Sequence, residues 1–91
     1  MSKRDEARAL TVAQPTPILV ASLRAIAEPK STEETMVRAW IMDVLEERFP
    51  TASAAVENAF EIAQLTMMET GVEPEVDYVA VLLANIPEVA A

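Results

Sequence analysis

The chain has no cysteine and no histidine, and a single glycine among its 91 residues. Without cysteine there is no disulfide framework, no thiolate nucleophile and no sulfur-based zinc or iron–sulfur site. Without histidine the commonest general base, the Ser-His-Asp triad and the usual transition-metal ligands are lost. Any metal site would be all oxygen, hence Mg²⁺ or Ca²⁺. A lone Gly71 excludes the glycine-rich phosphate loops, which need several glycines for close backbone approach. It also argues against an all-β fold with its many special turns, as does the scarcity of aromatics: one Trp, one Tyr and two Phe. No catalytic residue and no cofactor site can be named from what remains.

Long apolar runs are missing too. The longest, Pro17 to Ala27, contains Arg24 and falls well short of the about 20 residues that span a bilayer. The opening MSKRDEAR is not followed directly by an apolar stretch with a small-residue cleavage site. These features lead us to expect a soluble, cytoplasmic protein that does not engage the membrane. The balance of 52% apolar and 24% charged residues is that of a folded domain and not of a disordered chain. At this length one domain is expected, and its small size leaves apolar surface uncovered.

Apolar spacing follows the helical period throughout. Residues 1–15 read as a flexible or partly helical arm, and residues 16–87 as one helical domain followed by a tail at 88–91. Pro15-Thr16-Pro17 breaks the chain, with Thr16 as cap and Pro17 at the first helical position. A first helix over about 17–28 carries Leu19, Leu23 and Ile26, with Ile18, Val20, Ala25 and Ala27 widening the stripe until nearly the whole circumference is apolar. Ser31-Thr32-Glu33-Glu34 is a capping box. It opens a second helix over about 32–48, whose Val37, Trp40, Ile41, Val44 and Leu45 share one face. Met36 and Phe49 extend that face, and Pro50 ends the helix.

Thr51 caps a third helix over about 52–70, with Val56, Ala59, Phe60, Ala63 and Met67 as its core stripe and Gly71 as a left-handed cap. Glu57, Asn58, Glu61 and Gln64 face away. Leu65 and Met68 project from that polar side. Pro74 then sits at the first position of a last segment. Its Val76, Val79, Ala80, Leu83 and Ile86 have helical spacing, although the valines also suit a strand. A single strand would have no partner in the chain, so the helix is preferred. The expected fold is an all-α bundle of three to four short helices, with dimerisation open as a way to cover the surplus apolar surface.

Charge is distributed unevenly. Seven bases against fifteen acids give a net charge of −8. Residues 1–45 hold six of each, whereas residues 46–91 hold Arg48 against nine acids. Such a field repels a phosphate backbone, so direct nucleic-acid binding is not expected. Acidity of this kind ordinarily keeps a small apolar bundle soluble. It also fits a basic protein partner, or a mimic of nucleic-acid charge that blocks a DNA- or RNA-binding protein.

The remaining polar groups form none of the patterns that a specific chemistry needs. Asp43, Glu46 and Glu47 form the densest acid group, and Glu57 and Glu61 are a second pair four residues apart. Both sets read as solvated helix faces. A di-iron bundle needs Glu-x-x-His pairs, and the calcium loop needs alternating Asp around a Gly. A helix-turn-helix over Arg48 to Ala63 would present Glu57 and Glu61 to the groove, where a reader needs bases or amides. The Asp-Ser-Leu of acyl carrier proteins is absent, since Ser53 lies in Thr-Ala-Ser-Ala. Met42, Leu65 and Met68 fall off the main stripes. With Trp40 near the edge of its own stripe, they are the candidates for an exposed apolar patch that contacts a partner, beside the acids Glu57 and Glu61.

The stretch MVRAWIMDVLEERFP (Met36 to Pro50), with PTPIL before it and DYVAVLLANIP after it, resembles short all-helical proteins encoded by actinobacterial phages and their hosts. The resemblance covers most of the chain but includes no active-site motif. It implies a small protein that acts by binding a host or phage protein. The function expected is thus protein–protein interaction without catalysis, with a homodimeric structural role or acidic mimicry as alternatives.

Overall fold

The computed structural model describes residues 2–87, and among these every regular element is a helix. There are five: α1 (Lys3–Ala13), α2 (Thr16–Ala25), α3 (Thr32–Arg48), α4 (Pro50–Thr70) and α5 (Tyr78–Ala84). The all-α expectation holds, but three to four helices was an undercount. The extra helix is α1, in the segment read as an arm. Residues 88–91, read as a tail, lie outside the described residues. By its internal contacts the chain divides into two compact units, Met1–Arg48 and Phe49–Ala91.

In the first unit, α1 and α2 each pack on α3. The order of α1 has a local cause. The Asp5 amide donates to Ser2 Oγ at 3.2 Å, and the Ser2 hydroxyl donates to the Asp5 carboxylate at 3.0 Å. Asp5 and Glu6 in the first turn also suit the positive end of the helix dipole. No residue of α1 is buried. The helix is tied down at its other end by Arg48, whose Nη2 donates to the Val12 carbonyl at 2.9 Å and whose Nη1 donates to Thr16 Oγ1 at 3.3 Å. A carbonyl in the last turn of a helix lacks an intrahelical partner, and the guanidinium supplies one.

α2 is shorter than expected and is not buried all round. Leu19, Val20 and Leu23 are buried, whereas Ile18, Ala21, Ser22, Arg24 and Ala25 are exposed. Pro15, not Thr16, stands at its N-cap, without a side-chain cap bond. The Thr16 hydroxyl is engaged with Arg48 instead. α3 matches the expected bounds. The Glu34 amide donates to Ser31 Oγ at 3.1 Å, and the Ser31 hydroxyl donates to the Glu34 carboxylate at 3.4 Å. Its buried face is Ile41, Val44 and Leu45, with Val37 and Trp40 half-buried beside it.

In the second unit α5 packs on α4. Phe49 is not an extension of α3. It is the N-cap of α4, and Pro50, expected only to end one helix, also begins the next. Proline fits there because its missing N–H is one that the first helical turn leaves unused. Gly71 ends α4 with φ 73°, its amide donating to the Met67 carbonyl at 2.8 Å. This is the left-handed cap that glycine adopts without steric cost. Residues 73–77 then run without regular structure, so Pro74 does not start the last helix. Asp77 does, its carboxylate accepting from the Ala80 amide at 3.0 Å. The last segment is helical and not a strand, and it buries Val79, Leu82 and Leu83, with Ile86 buried just beyond.

Candidate functional site

The most unusual element is α4. It has 21 residues, and only Ala52 is buried. The stripe expected to be core is not: Phe60 is 51% exposed and Met67 49%, while Val56, Ala59 and Ala63 are half-buried. Length supplies the reason. A helix rises 1.5 Å per residue, so α5 is about 10 Å long, and α4, on which it packs, is about 31 Å long. The rest of the apolar α4 surface is left to solvent.

Apolar side chains emerge on two sides of α4. At 3.6 residues per turn, Phe60 and Met67 lie on one side, and Ile62 and Leu65 lie around the helix from them. Ile62 is 55% exposed, Leu65 59% and Met68 81%. Single exposed apolar residues are ordinary on a protein surface; here five fall within nine positions, on two sides of one helix.

On the first side α4 forms a cleft with the segment that returns toward α5. The cleft holds about 340 Å³ and is lined by Phe60, Ala63, Gln64 and Met67 from the helix and by Glu73 to Val76 and Tyr78 from the return. The Phe60 and Tyr78 rings stand 6.4 Å apart between centroids and tilted by 52°, within the range favoured by aromatic pairs. A second hollow of about 340 Å³ adjoins the first. It shares Gln64 and Met67 and adds Met68. The Gly71 cap and the Asp77 cap hold this arrangement by fixing where α4 ends and α5 begins.

The sequence candidates are divided between the units. Trp40 and Met42 lie on α3 in the first unit, and both are half-buried. Leu65, Met68, Glu57 and Glu61 lie on α4 in the second unit, and all four are exposed. Of the methionines expected in the core, Met36 is half-buried and Met67 is on the open side of α4. Sequence reasoning missed Phe60 and Met67 as exposed residues and the half-buried Tyr78 as part of the cleft. It assigned the first two to a core that α5 is too short to complete.

Among the described residues no three acidic side chains converge to hold a metal ion. No described helix is long and apolar enough to cross a membrane. Fold and surface together define a small all-helical protein with an open apolar helix. No protein-family model matches the chain, and comparison with curated proteins and with solved structures finds no match.

Proposed function

We propose that this chain is a small non-catalytic protein–protein interaction module of the cytoplasm that binds through the second unit. The observation that carries the reading is the exposed run on α4, from Phe60 through Ile62, Leu65 and Met67 to Met68. Apolar side chains held in fixed positions on a helix gain free energy when a partner removes them from water, at about 25 cal/mol per Å² of apolar area. Methionine adapts its shape to the surface it meets, which suits Met67 and Met68 to recognition. The residue types argue against a reaction, since neither histidine nor cysteine is present. The resemblance to short proteins of actinobacterial phages and their hosts directs the search for a partner to bacterial host and phage proteins.

A homodimer is the rival reading, because a second copy could cover the same run. Charge disfavours it. Residues 49–91 contain Glu57, Glu61, Glu69, Glu73, Glu75, Asp77 and Glu88 and no base, so a symmetric pairing of second units sets seven acids against seven.

The test combines solution mass with site-directed capture. Light scattering at low and moderate salt is expected to give the mass of one chain. A photo-crosslinking residue at Leu65 is expected to capture a protein from bacterial extract that the same residue at Ser22, on α2, does not. The purified captured protein should then rebind, and Leu65→Asp with Met68→Asp should weaken that binding at least tenfold. A stable dimer whose formation Leu65→Asp abolishes would replace this reading with the homodimeric one.

A further inference from the structure

We infer that the cleft between α4 and residues 73–78 docks a cationic amphipathic helix of a partner protein. This rests on the interaction reading above and specifies which surface is used and what chemistry it recognises.

Three observations converge. The first is the wall of the cleft: Phe60, Met67, Val76 and Tyr78 offer apolar contact, and Met67 continues it into the hollow beside Met68. The second is charge. Glu73 and Glu75 line the same cleft, and the whole segment 49–91 has seven acids and no base. No cation of that segment can neutralise them, and a cationic occupant supplies the complementary charge. A second copy presenting its own second unit brings only more acid. A lysine- or arginine-bearing segment gains attraction at every acid it approaches, and its association is steered from a distance.

The third observation is shape. Recognition by strand addition needs an open sheet edge, and there is no strand among the described residues. Helix-in-groove recognition needs apolar anchors spaced i, i+3 or i+4, and i+7, about 10.5 Å from first to last. On the cleft side of α4, Phe60 and Met67 are seven residues apart, about 10.5 Å along the axis. Two turns of a docked helix therefore match the apolar floor, and basic residues flanking its apolar stripe would reach Glu73 and Glu75.

The experiment uses the full chain and a fluorescein-labelled 18-residue peptide of leucine and lysine patterned as an amphipathic helix. Two controls accompany it: the same composition scrambled out of helical register, and the same pattern with glutamate in place of lysine. Fluorescence anisotropy is expected to show the patterned cationic peptide binding at least tenfold more tightly than either control. Raising salt from 50 to 300 mM should weaken it by roughly tenfold, since exposed charges are screened within a few ångströms at the higher value. Amide and methyl NMR shifts should concentrate at Phe60, Met67, Val76 and Tyr78. Met67→Asp and the pair Glu73→Lys, Glu75→Lys should each reduce affinity about tenfold. Glu33→Lys, an exposed acid on α3, should leave it within twofold.

Equal binding of the scrambled peptide would mean charge alone and would overturn the proposal. So would equal binding of the glutamate peptide, or shifts centred on α1 to α3. Dimerisation that broadens the cleft resonances would give the site to a second copy. If the peptide fails while Leu65 still captures a protein that rebinds, the cleft assignment falls and the interaction reading stands. If capture at Leu65 also fails, both fall.

Discussion

α3 and α4 are the two long helices of this chain, 17 and 21 residues, and they use their apolar side chains in opposite ways. α3 has α1 and α2 packed on it and buries Ile41, Val44 and Leu45. α4 has the short α5 packed on it and buries Ala52 alone. Their charge differs in the same sense. Residues 1–48 hold seven bases and eight acids, while residues 49–91 hold seven acids and no base. The contrast shows that an apolar stripe is a demand for a partner surface, and that how much of it is met depends on the length of the elements facing it. In the first unit α1 and α2 meet the demand of α3, although Leu10, Val12 and Ile18 of those two helices stay exposed. In the second it is left over, on a surface carrying one sign of charge.

The largest effect that tests this contrast comes from one substitution made at two places. Leu45 is fully buried on α3, and Leu65 is 59% exposed on α4. Leu45→Ala should cost about 2–5 kcal/mol in urea unfolding, as deletion of a packed core side chain does. Leu65→Ala should stay within about 0.5 kcal/mol, as surface substitutions do. Similar losses at both positions would mean that α4 is covered in solution, and the contrast between the units would be gone.

Next in size is Gly71→Ala. A Cβ at Gly71 would meet nothing within 4 Å, so the cost is conformational: φ 73° is a backbone state that residues with a side chain rarely adopt. A loss of roughly 1–2 kcal/mol is expected. Because Gly71 turns the chain from α4 toward Val76 and Tyr78, the same variant should also weaken peptide binding at the cleft. A loss of stability with unchanged binding would separate the cap from the cleft.

These two cases mark how much the sequence could reveal. Local signals were readable because their chemistry lies within a few residues. Ser31 and Glu34 fixed the start of α3, Gly71 the end of α4, and the spacing of Ile41, Val44 and Leu45 the face that is buried. Ser2 and Asp5 carry the same kind of signal, yet residues 1–15 read as a flexible or partly helical arm because they hold few large apolar groups. What could not be read was the fate of the α4 stripe. Periodicity places Phe60 and Met67 on one face but carries no information about the length of the element that will cover it. That length was hidden in the start of α5, where Pro74 looked like the first helical residue and Asp77 is the actual cap. Of the candidate site, exposure at Leu65, Met68, Glu57 and Glu61 was legible because they fell off the stripe. The cleft was not, since it depends on the return of residues 73–78.

The capping side chains give a smaller, paired effect. Ser31→Ala in the first unit and Asp77→Ala in the second each remove one acceptor from a helix amide, at a cost of about 1 kcal/mol. They should differ in what else they change. Ser31→Ala should leave the cleft resonances in place, whereas Asp77→Ala should shift Phe60 and Tyr78, because the Asp77 cap fixes the start of the helix that carries Tyr78. NMR on the two variants would read this directly. Matching shifts at Phe60 in both would contradict the division of the chain into two units.

A small stability effect is expected at Arg48, and its value lies in where the effect falls. Its guanidinium donates to the Val12 carbonyl and to Thr16 Oγ1, joining the end of α3 to the end of α1 and the start of α2. Both bonds are exposed to solvent, so Arg48→Ala should cost only about 0.5–1 kcal/mol overall. α1, however, has no buried residue to hold it. Hydrogen exchange should therefore quicken along α1 while α3 amides near Leu45 keep their protection. Arg48→Lys should restore little, because a single ammonium cannot present the planar fork that reaches two acceptors at once. If α1 exchange is unchanged in Arg48→Ala, its packing on α3 is sufficient by itself, and the first unit meets its own demands more completely than its burial pattern suggests.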